Sequence, residues 1–152
     1  MIRNVRRHIT SFMNQAIELH DSYLVSIKSI GDSVVLSFAP AYIHRSPGRP
    51  GIDSGTGWTQ AATLTIRGAS AFSPVTLPAE VSSGWLRGGD EVYQNVIPAA
   101  GTFDATIEFS AVVFAKDFTD RNDIMIRGSR LTITLEGDPS YVEEFSHKAG
   151  AA

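Results

Sequence analysis

The chain contains no cysteine, which removes disulfides, thiolate metal ligands and a cysteine nucleophile together. It also lacks a surplus of basic charge: thirteen Lys and Arg stand against sixteen Asp and Glu, a net charge of −3. Gripping nucleic acid through its phosphates requires massed basic residues, so no nucleic-acid partner is expected. No window approaches the run of about 20 apolar residues that crosses a membrane as a helix. The basic opening MIRNVRRHITSF leads into no apolar stretch of signal-peptide length, so a cytoplasmic protein without membrane attachment is expected. Catalytic signatures are missing as well. There is no G-x-S-x-G, no Gly-Lys-Ser/Thr phosphate loop and no HxH or HExxH spacing, so neither a cofactor nor a metal is expected.

What is present is apolar and orderly. Hydrophobic residues make up 43% of 152 residues and charged ones 19%, enough to bury a core and too little charge for wholesale disorder. A single domain over 1–152 follows, with its core at about 15–145 and the segment 146–152 read as a loose tail. The helical spacing of Ile9, Phe12 and Met13 suggests a short N-terminal helix or turn at 9–14. From Ile17 onward the period is two. A strand over 17–30 turns at Ile30-Gly31-Asp32-Ser33, where glycine suits a type II′ hairpin, and returns with Val34, Leu36, Phe38 and Tyr42 on one face. A second hairpin is expected at Arg127-Gly128-Ser129-Arg130, pairing Ile126 with Leu131 and Ile124 with Ile133. Between them lie WTQAATLTIR, a weak strand around AFSPVTL, a short one near GWLRG, and DATIEFSAVVFA with Ile107, Phe109, Ala111 and Val113 inward. The fold class is therefore all-β: an antiparallel β-sandwich or flattened barrel of about seven or eight strands.

One residue breaks the first strand's pattern. Ile17, Leu19, Tyr23, Val25 and Ile27 are apolar, but Asp21 shares their parity. If the Gly31-Asp32 hairpin keeps its register, Asp21 faces Tyr42 and Leu19 faces His44 on the inward side. An acid, a phenol and an imidazole would then meet at the mouth of the sandwich, where His44 could serve as acid or base and Asp21 could orient it. The structural alternative is that Asp21 bonds backbone N–H groups at a bulge.

The stretch RSPGRPGIDSGTG, residues 45–57, holds four of thirteen glycines and two of seven prolines and reads as a long surface loop open to a binding role. Asp53 within it and Trp58 at its end join Asp21, Tyr42 and His44 as candidate ligand-binding residues. Trp58 is either a stacking surface for a sugar or a rim filler. His20, Asp21, His44 and Asp53 are metal-ligand types, yet His20 and Asp21 should point to opposite faces. In EGDPSYVEEF, Tyr141, Val142 and Phe145 should dock on the sheet while Glu143 and Glu144 stay solvated.

ELHDSYL, the Gly-Asp hairpin before VVLSF, and the closing RLTITLEGDPSYVEEF together resemble small bacterial β-proteins with a His-Asp-Ser start, some of them similar to immunity proteins of toxin systems. That resemblance implies a bacterial cytoplasmic protein that works by binding, without catalysis. The absence of a catalytic constellation in a loop-rich β scaffold points to a protein partner or a homodimer, engaged through the 45–57 loop and exposed edges. The residues themselves leave a small-ligand or carbohydrate binder, or a weak hydrolase, open.

Overall fold

The computed structural model describes residues 13–69, 72–115 and 117–146. Nine strands run in chain order: β1 (Asn14–Glu18), β2 (Tyr23–Ile30), β3 (Ser33–Ser46), β4 (Gly55–Arg67), β5 (Ala79–Gly88), β6 (Glu91–Gln94), β7 (Val96–Pro98), β8 (Gly101–Ala115) and β9 (Asp120–Phe145). All pairings are antiparallel. They close on themselves. From β3 the ladder passes to β2, β5, β8, β9 and β4, and β4 pairs back onto β3. The seam between β2 and β5 is only two residue pairs wide, Tyr23↔Glu80 and Leu24↔Ala79. The architecture is the expected flattened barrel, with β1 and β7 extending it beyond β3 and β6 beyond β5.

The period of two places the core. Val34, Leu36 and Phe38 of β3, Ala62, Leu64 and Ile66 of β4, and Ile107, Phe109, Ala111 and Val113 of β8 are all buried, as their alternation requires. The first hairpin is also in place: Ile30 pairs with Ser33 and Gly31 has φ of 62°, the left-handed conformation that glycine adopts at no steric cost.

Several expectations need correction. The strand over 17–30 is interrupted, because the chain turns at residues 19–22 between β1 and β2. A bulge between Leu24 and Ser26 then swaps faces, so Leu24 is buried and Val25 exposed. The ladder of β3 slips between Phe38 and Ala41, around Pro40, which has no N–H to give it. Past that slip Ala41 and Ile43 face the core, and Tyr42 and His44 face away from it.

The hairpin at 127–130 does not exist, for β9 runs through Gly128 unbroken and its register with β8 shifts at Asp104/Ile107 instead. Gly128 marks a close crossing, where a Cβ would stand 2.5 Å from the Arg67 carbonyl oxygen. Residues 72–78 form no strand, and the long loop shrinks to 47–54 because Arg45, Ser46 and 55–57 belong to β3 and β4. Of the helix expected at 9–14, residues 9–12 lie outside the described residues, as does most of the tail at 147–152, while Asn14 opens β1.

Candidate functional site

A buried serine assembles the site. Ser22, fully buried, donates through Oγ to the Glu18 carbonyl (2.6 Å) and accepts from the Tyr42 backbone N–H (2.9 Å). Its own carbonyl accepts from Val81 N at 2.9 Å. One hydroxyl therefore fastens the β1–β2 turn to β3 where the ladder is broken. β1 pairs with the outer half of β3, setting Glu18 against Tyr42 and Ala16 against His44.

On the face turned away from the core, His44 Nε2 lies 2.5 Å from Glu18 Oε1, with the two side chains 10% and 21% exposed. Tyr42, beside it at 5.2 Å between ring centroids, donates its hydroxyl to the Glu143 carboxylate. Phe145 completes the wall, 5.1 Å from the His44 ring and 6.4 Å from that of Tyr42. Gly57, opposite His44 in β4, makes room, since a Cβ there would stand 2.0 Å from the Tyr42 hydroxyl. The Gly55-Thr56-Gly57 stretch is a gap in the sheet's side-chain layer, filled from the neighbouring strands.

The loop 47–54 roofs this wall. Ser46 Oγ donates to the Ser54 carbonyl at 2.6 Å and accepts from Gly48 N at 3.0 Å, while Asn14 Nδ2 donates to the Gly48 carbonyl at 2.7 Å. Asp53 closes a turn by accepting from Arg49 N at 2.7 Å. Beneath the loop is a pocket of about 340 Å³ bordered by Glu18, His44, Gly51, Ile52, Asp53, Gly55, Phe145 and Ser146, and by Arg45. The Tyr42 hydroxyl has its pKa pushed well above the usual tyrosine value, first by burial, then by its bond to Glu143 and by the charges of Glu143, Glu18 and Asp21.

Of the sequence candidates, Tyr42, His44 and Asp53 come together here. Asp21 does not join them on an inward face. It sits in the turn at φ 78°, half exposed, with His20 Nε2 3.4 Å from its Oδ1. An aspartate tolerates that left-handed conformation better than most residues, which explains its place in an apolar pattern. Trp58 lies on the opposite face of β4, its ring covered by the Arg45 guanidinium at 4.4 Å and met edge-on by Tyr141.

Sequence reasoning passed over Glu18, Ser22, Glu143 and Phe145. Glu143 is bonded to Tyr42, not simply solvated. The turn also brings one ligand atom each from Glu18, His20 and Asp21 within 4.8 Å of one another, against the expectation that His20 and Asp21 point apart. Two of these three residues are exposed, and exposed acids gather in this way without binding metal.

Among the described residues no helix is long and apolar enough to cross a membrane. Compared with protein-family models, with curated proteins and with solved structures, the chain matches none.

Proposed function

We propose that this chain is a binding protein without catalytic activity, and that it takes a small ligand in the pocket beneath the 47–54 loop. The observation that carries this reading is the His44–Glu18 pair, kept 10% and 21% exposed on the sheet face that the core does not use. Desolvating two such groups is costly, and neither belongs to the barrel's apolar core. A roofed cavity with a few convergent polar groups is the usual form of a ligand site. Its chemistry favours binding over turnover: His44 Nε2 faces a carboxylate instead of a hydroxyl nucleophile. The Tyr42 proton is held by burial and by Glu143, so that phenol is not poised as a base.

The resemblance to bacterial immunity-type proteins supports a bacterial, cytoplasmic setting. A fragment screen by NMR tests the reading. Binders should shift His44, Ile52 and Phe145 and raise the melting temperature, with about 2.7 kcal/mol gained at 100 times the dissociation constant. A diverse screen that leaves those residues unmoved contradicts it.

A second reading, in which the pocket receives a side chain from a protein partner or a second copy, is favoured by Ile52, 57% exposed at the rim. Sedimentation of the purified chain, alone and with candidate partners, separates the two.

A further inference from the structure

Resting on the pocket reading above, we infer that its ligand is a compact organic cation, an ammonium group carried on a short, flat apolar body. The lining combines a carboxylate with aromatic and apolar surface. Glu18 is fixed by His44 at 2.5 Å. A carboxylate keeps acceptor capacity beyond one such contact. Glu143, bonded to the Tyr42 hydroxyl beside the His44 ring, adds a second carboxylate to this wall.

The rest of the lining includes aromatic and apolar surface. Phe145 and the His44 ring pack together at 5.1 Å between centroids, Ile52 stands at the rim, and Gly51 and Gly55 present backbone without side chains. A ring can lie against such a wall, and a cation near aromatic rings gains further from their quadrupoles.

Among the described residues, neither guanidinium near the pocket is directed at Glu18. Arg45 borders the pocket, but its guanidinium stacks on Trp58 across the sheet, and its Nε donates to Gln15 at 3.0 Å. Arg49, 72% exposed, reaches only the Asp53 carboxylate at 3.5 Å. In size the cavity, about 340 Å³, is about twice the ~150 Å³ that encloses benzene. That admits one ring with a short arm.

The test uses three probes of one shape on the full chain: 2-phenylethylammonium, the neutral 2-phenylethanol and the anionic 3-phenylpropanoate. Chemical shifts of His44, Ile52 and Phe145 are followed through each titration. The ammonium probe should bind at least about tenfold more tightly than the alcohol, the ratio expected of one charge-assisted contact. Glu18→Gln should remove that preference and leave the alcohol's affinity unchanged. Phe145→Ala should weaken both.

Melting curves without probe verify that the variants fold. Should Glu18→Gln unfold, added salt on the unmodified chain replaces it, weakening the ammonium and sparing the alcohol. If the alcohol or the carboxylate shifts the same residues at equal or lower concentration, the cation assignment is overturned and the pocket stands. If no probe moves those residues, both the assignment and the pocket reading fall.

Discussion

Replacing Ser22 with alanine removes a single oxygen and should cost more than any exposed serine in the chain. That oxygen makes two short hydrogen bonds, to the Glu18 carbonyl at 2.6 Å and from Tyr42 N at 2.9 Å. Each contributes about 0.5–1.5 kcal/mol net, and a donor left unsatisfied away from water costs about 1–3 kcal/mol. Tyr42 stands at the last β1–β3 pair, opposite Glu18, where the Ser22 hydroxyl bridges the Tyr42 N–H and the Glu18 carbonyl. A loss of about 2–3 kcal/mol is therefore expected, which for a domain of this size lowers the melting temperature by roughly 4–12 °C. The control is Ser29→Ala in the adjoining strand β2, where the side chain is exposed and the change should stay within about 0.5 kcal/mol. Urea unfolding of the two variants with a common slope gives both numbers. Equal midpoints for Ser22→Ala and Ser29→Ala would refute the claim that this hydroxyl ties the turn to β3.

Three further outcomes are expected. Gly128→Ala should destabilise by about 1–3 kcal/mol, because the new Cβ meets the Arg67 carbonyl at 2.5 Å; a neutral result by chemical denaturation would restore the hairpin at 127–130. Asp21→Asn should leave stability within about 0.5 kcal/mol, as the side chain is half exposed and asparagine accepts the same φ; a loss of several kcal/mol in a thermal melt would return Asp21 to the interior. Because the folded Tyr42 hydroxyl titrates above its unfolded value of 10.0, its share of stability is complete below pH 10 and declines as pH rises beyond it. Tyr42→Phe should flatten that alkaline decline, and an unchanged slope in pH-dependent unfolding would contradict the burial of this phenol.

The alternation of apolar residues was enough to place the cores of β3, β4 and β8, because a strand with one buried face repeats every second residue. It could not show where the repeat slips. The bulge at Leu24/Ser26 and the break around Pro40 each reverse the facing of the residues beyond them, so Tyr42 and His44 share a face as alternation requires, but it is the outer face and not the inner one. At Gly128 the buried set passes from Ile124 and Ile126 to Leu131 and Ile133. A two-residue hairpin and a strand bend leave the same parity change, and only the partner strand tells them apart. Glu143 and Phe145 reach His44 and Tyr42 through β4, a contact across about a hundred residues that no local pattern records. Ser22 carried no signal at all, since a serine between Asp21 and Tyr23 reads as surface until the turn buries it.

The most direct check of the site is a nuclear Overhauser spectrum of the aromatic rings. Cross-peaks from the His44 ring to Phe145, whose centroid lies 5.1 Å away, and from Tyr42 to Gly57 are predicted. Cross-peaks from His44 to Leu36 or Phe38 in their place would put the imidazole inside the barrel and contradict the account.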